Sequence, residues 1–170
     1  MQTTTLNLYS LGYSQAKTYL VSAAFVVGNI LLPQLAHTLP QGGFIFLPIY
    51  YFTLEAAYKY GWKAGLLTAV LSPVVNNLLF GMPPLVVLPA ILTKSIFLAL
   101  SAGLAARHFK RVSIPILCLV VLGYQTFGTL VEWALVGDFF SAVQDFRIGI
   151  PGMLLQVFGG YGVINYLIRK

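Results

Sequence analysis

Apolar residues fall into six runs along the chain, at residues 17–36, 44–58, 64–79, 85–106, 113–136 and 150–168. Most approach the roughly 20 apolar residues that a helix needs to cross a bilayer. The run at 44–58 is short and would need neighbouring helices around it. Between the runs lie compact breaks. Residues 37–43 (His-Thr-Leu-Pro-Gln-Gly-Gly) and 80–84 (Phe-Gly-Met-Pro-Pro) have strong turn chemistry. Residues 59–63 and 107–111 are short, basic and aromatic, and 137–149 reads as a polar loop holding Asp138, Asp145 and Arg147. Residues 1–16 read as a polar N-terminal tail without the apolar segment of a signal peptide. The remainder, 17–170, reads as a single domain. The expected architecture is an all-α membrane protein with six transmembrane helices in one compact bundle.

Composition agrees with that pattern. The chain has 170 residues, 58% hydrophobic and 8% charged, against about 25% charged in soluble domains. Its mean hydropathy is +0.84. The net charge of +6 does not gather on one amphipathic face, so no nucleic-acid partner is expected. It follows topology instead. With six spans, Lys17, Lys59, Lys63, Arg107, Lys110, Arg111, Arg169 and Lys170 share one side, and Arg147 stands on the other. Positive loops stay in the cytoplasm, so both termini should be cytoplasmic in a multi-pass protein of the inner (cytoplasmic) membrane.

Polar side chains inside apolar runs are the informative exceptions. Lys94 lies about ten residues into the fourth run, roughly 15 Å below the outer surface at 1.5 Å per residue. A lysine at that depth costs about 3 kcal/mol. Snorkelling to an interface is the plain explanation; facing a carboxylate or an anionic ligand is the functional one. Glu132 in the fifth run is the candidate partner, unless it marks the helix end. Glu55, four residues before Lys59, reads as half of a surface i,i+4 pair. Asn76 and Asn77 end the third run, as caps or as ligand contacts. Gln125 and Gln156 either bridge helices or line a pocket, and Tyr124 and Trp133 share a helix with Gln125 and Glu132. Amides beside aromatics suit a flat heterocycle. Ala24 and Gly28 put two small residues on one face of the first run, which permits close helix approach.

Several chemistries are absent. The chain has no Walker A loop, and neither Gly-x-Ser-x-Gly nor His-Glu-x-x-His occurs. His37 and His108 fall on opposite sides of the expected topology. A single cysteine, Cys118, allows no intrachain disulfide, and no metal-ligand spacing is present. No catalytic role, cofactor or metal is expected.

The run of Leu71-Ser72-Pro73, then Gly81-Met82-Pro83-Pro84 and Leu88-Pro89, resembles the third-to-fourth helix region of the substrate-binding S components of energy-coupling factor (ECF) vitamin transporters. The likeness extends to length, six spans, cytoplasmic termini and the small residues of the first helix. It implies a small vitamin or vitamin precursor bound near the outer face. It also implies a transmembrane coupling subunit and two cytoplasmic ATPases as partners. Ala24 and Gly28 would then match the Ala-x-x-x-Ala docking motif for the coupling subunit, with Gly at the second position. Lys94 favours an anion and Glu132 an amine or ring nitrogen, so a zwitterionic or amide-bearing ligand fits. A Lys94–Glu132 pair beside a neutral pocket fits equally. The competing expectation is a six-span scaffold of the rod-shape morphogenesis type, which has no need for a buried lysine.

Overall fold

A computed structural model describes residues 10–169; residues 1–9 of the expected tail, and Lys170, lie outside the described residues. All regular structure among them is helical: α1 (Ala16–Ala36), α2 (Gly42–Phe46), α3 (Tyr51–Tyr60), α4 (Trp62–Phe80), α5 (Leu88–Phe109), α6 (Ile114–Val136), α7 (Phe139–Ala142), α8 (Gln144–Ile148), α9 (Ile150–Leu154) and α10 (Gly160–Arg169). A π-helical segment, Leu155–Gly159, joins α9 to α10.

Helix ends follow the local chemistry. Pro89 and Pro115 open α5 and α6, where the missing N–H costs nothing. Gly81 (φ 68°) and Gly137 (φ 76°) close α4 and α6 in the left-handed region, donating to Asn77 O and Trp133 O at 2.8 Å. The Asp138 side chain caps α7 through the Ser141 N–H at 2.8 Å. Hydrogen bonds from Ser141 hold its carboxyl below the usual carboxylate range.

Four helices, α1, α4, α5 and α6, are long and apolar enough to cross a membrane. The chain is in this respect compatible with a multi-pass membrane protein. The second and sixth apolar runs differ from expectation, because neither is one regular α-helix. The second breaks at Leu47, whose φ of 47° turns the chain before Pro48, and resumes as a short 3₁₀ turn and the ten-residue α3. The sixth stays helical but widens into the π segment. Residues 137–149, read as a loop, fold into α7 and α8.

In the bundle, α5 packs against α3, α4 and α6, α1 packs on α3 and α4, and α10 packs on α3. Small residues make this closeness attainable: Ala56, Ala57, Ala64, Ala69, Ala99 and Ala102 are fully buried. A Cβ on Gly65 would collide with Ala57, so α3 and α4 meet backbone to backbone. Large apolar side chains such as Leu20, Leu31, Leu104, Leu119 and Phe127 point outward.

The two ends of the bundle differ. At one, residues 37–44 of the first turn, the 82–87 turn and the start of α8 converge. At the other, the Tyr58 hydroxyl donates to Arg111 O at 2.6 Å. There the Lys63 ammonium also lies 5.2 Å from the centroid of the Tyr13 ring and 5.7 Å from that of Trp62, a cation–π arrangement.

Candidate functional site

Lys94 stands six residues beyond Leu88, about 9 Å along α5 at 1.5 Å per residue. It is nearer the helix start than the expected fourth run implied, because residues 85–87 belong to the turn. Its stem runs across α6 at Gly128. A Cβ there would strike Lys94 Cγ and come within 3.3 Å of its Cβ and Cδ. One turn further along the same face, Glu132 Oε2 meets Lys94 Nζ at 2.6 Å. The second carboxylate is Asp145, in the first turn of α8, whose Oδ2 accepts a hydrogen bond from Nζ at 2.7 Å. The Glu132 contact is an ion pair without hydrogen-bond alignment; the directed bond goes to Asp145. Lys94 is thus faced by two carboxylates, and the three side chains together have a formal net charge of −1.

The cluster forms part of the wall of a cavity of ≈ 500 Å³, a size that suits a small organic molecule. Leu47, Ile49, Met82, Pro83, Val87 and Ile91 supply apolar walls. Gln34, His37, Gln41, Asn76, Gln144 and Tyr50 supply polar groups among them. A shallower depression over α7 and α8, lined by Phe140, Ser141 and Arg147 among others, holds no comparable charge cluster.

A second polar lattice braces the cavity from behind. Asn29 of α1 accepts from the Phe52 N–H at 3.1 Å, satisfying a donor in the first turn of α3. Its amide donates to Thr53 Oγ1 at 3.0 Å and Ser72 Oγ at 3.1 Å. The Asn29 backbone carbonyl accepts from Asn76 Nδ2 at 2.8 Å, and Asn76 Oδ1 accepts from Gln34 Nε2 at 3.5 Å. One buried asparagine therefore ties α1, α3 and α4 together beneath two lining residues.

The sequence-predicted residues divide between the cavity and its surroundings. Lys94, Glu132 and Asn76 line it. Asn77 does not; it donates to Pro83 O at 2.7 Å and holds the turn. Tyr124, Gln125 and Gln156 are buried away from the lining. The Tyr124 hydroxyl donates to Gln156 Oε1 at 2.8 Å, and Gln125 Nε2 donates to the Tyr124 oxygen at 3.2 Å. Here the helix-bridging role describes the amides, and Tyr124 backs the cavity through the lining Tyr50, ring centroids 5.5 Å apart. Trp133 faces outward, edge-on to Phe139. Ala24 is exposed, whereas Gly28 is half-buried with the Phe52 ring against its Cα. Glu55 is not the surface residue expected of an i,i+4 pair: it is buried at 1% exposure. Neither carboxylate oxygen has a hydrogen bond of acceptable geometry, although the Tyr51 phenol one turn earlier is within interaction reach.

Three participants escaped the sequence reading. Gly128 lies one turn before the already singled-out Glu132, on the same face, and a small residue beside a charged one there was a signal for a crossing side chain. Asn29 was visible as a lone amide in an apolar run. Asp145 had no such signal, since only the folding of residues 137–149 brings it to Lys94.

No family model matches the chain, and no curated protein or solved structure does.

Proposed function

We propose that this chain is the membrane-embedded substrate-binding subunit of an importer of the ECF type. In this reading it has six spans and cytoplasmic termini in the inner (cytoplasmic) membrane. The second and sixth spans are the interrupted ones. It captures a small vitamin or vitamin precursor at the outer face and delivers it by reorienting on a transmembrane coupling subunit. Two partner ATPases supply the energy. The chain itself catalyses nothing.

One observation carries the proposal: a ≈ 500 Å³ cavity at one end of the bundle has a buried Lys94, with the partly exposed carboxylates of Glu132 and Asp145 on it, in its wall. Ionisable groups within apolar bundles are costly and mark ligand pathways. A scaffold of the rod-shape type has no use for such a cavity. The basic connections at the opposite end favour an outward-opening pocket under the positive-inside rule.

The deciding experiment is mass spectrometry of small molecules extracted from the purified, folded protein, with thermal-shift measurements across a vitamin panel. The expected result is a copurified or stabilising compound. Finding neither would remove the transport reading and favour the scaffold.

A further inference from the structure

We propose that the cavity selects a ligand bearing a positively charged nitrogen on an apolar or aromatic body, and rejects anions. This rests on reading the cavity as the substrate site, and names the ligand class for it.

The argument begins with charge. Lys94 taken alone favours an anion, and Lys94 with Glu132 favours a neutral or zwitterionic ligand. Asp145 changes the balance, because a third charge makes the cluster net negative. His37 is the remaining Lys, Arg, His, Asp or Glu side chain among the lining residues. Arg147 lines the separate depression over α7 and α8 and not this cavity.

Exposure points the same way. The Lys94 side chain is 4% exposed, against 16% for Glu132 and 13% for Asp145. The ammonium sits against one oxygen of each carboxylate, Oε2 of Glu132 and Oδ2 of Asp145. Oε1 and Oδ1 are left to meet a ligand. An incoming carboxylate would have to draw Lys94 away from both partners and would then face two like charges in an apolar surround, where such repulsion is poorly screened. A cationic nitrogen entering between the carboxylates instead completes their neutralisation with charge-assisted hydrogen bonds. The rest of the ligand meets Leu47, Met82, Val87 and Ile91, with the Gln34, Asn76 and Gln144 amides available to its polar edges.

The test uses the full-length protein in detergent or nanodiscs at neutral pH. Binding is read by thermal shift and calorimetry with three groups of probes. Thiamine, pyridoxamine and benzylamine are cationic, riboflavin and nicotinamide neutral, and pantothenate and nicotinate anionic. At least one cation should bind, and no anion should. Asp145→Asn and Glu132→Gln should each weaken that binding at least tenfold, and Asp145→Glu should retain part of it. An anion that binds the unaltered protein and is lost in Lys94→Met would overturn the charge inference while leaving the binding site intact. No binding by any probe, with no copurified molecule, would overturn the site reading itself. Because the probe comparison is made on the unaltered protein, it decides the matter even if a variant fails to fold.

Discussion

Asp145 Oδ2 and Lys94 Nζ stand 2.7 Å apart although 51 residues separate them in the chain. With Glu132 also on the ammonium, this contact fastens α8 to the junction of α5 and α6. Removing the lysine alone would leave two adjacent carboxylates without their cation. Breaking a buried ion pair by deleting one partner costs about 3–5 kcal/mol. Lys94→Met should therefore lower the unfolding temperature clearly. The triple change Lys94→Met/Glu132→Gln/Asp145→Asn should recover most of the loss, since no charge then stays buried. Thermal unfolding in one detergent distinguishes the cases; equal midpoints for the single and triple variants would mean that the unpaired carboxylates are not the source of the loss.

Gly128 belongs to the same construction. Its missing Cβ is the space through which the Lys94 stem passes. Gly128→Ala should destabilise by about 1–3 kcal/mol, the usual cost of overpacking, and should pull Nζ off the carboxylates. Gly123 on the same helix is the control, because a Cβ there meets nothing within 4 Å. Gly123→Ala should be neutral or slightly stabilising by removing a helical glycine. Similar losses for both would show that α6 tolerates no added side chain anywhere, and that Lys94 is not the cause.

These residues show what the chain discloses one position at a time and what it does not. The long helices were legible because their hydrophobic runs are long, and because Gly closes α4 and α6 and Pro opens α5 and α6 with the matching backbone conformation. The break at Leu47 was not, since a leucine at φ 47° is imposed by packing rather than chosen by its own propensity. Lys94 and Glu132 were legible as costly exceptions in apolar runs. Asp145 was not, because a carboxylate in a polar connection looks solvated until that connection folds back over the bundle. Tyr124, Gln125 and Gln156 were misplaced for a related reason. Hydropathy does not say which face of a nearly uniformly apolar helix turns inward, and these groups hydrogen-bond to one another behind the cavity.

The proposed orientation makes its own prediction. In a Cys118→Ala background, Ser141→Cys on the cavity end should react with a membrane-impermeant maleimide in intact cells. Arg111→Cys at the basic end should react only after permeabilisation. Both positions are exposed, so access and not burial controls the outcome. The reverse pattern would invert the protein in the membrane and turn the cavity towards the cytoplasm, which an importer capturing substrate from outside does not allow.

The last prediction concerns α1. In its most apolar stretch 22% of positions are buried, against 39% to 44% for α4, α5 and α6, so it offers the most uncovered face of the four. Ala24 lies on that face with Leu20, Val27 and Leu31, and a small residue there lets a second helix approach closely. Gly28 is a poorer probe, because its Cα rests against Phe52 and any side chain would disturb the fold itself. Ala24→Trp adds bulk to the exposed position and should leave the unfolding temperature and ligand binding nearly unchanged. Uptake by the assembled transporter should fall at least tenfold, an effect of about 1.4 kcal/mol on docking. Uptake equal to that of the unaltered protein would exclude this face as the docking surface. Loss of binding together with uptake would assign Ala24 to packing within the chain.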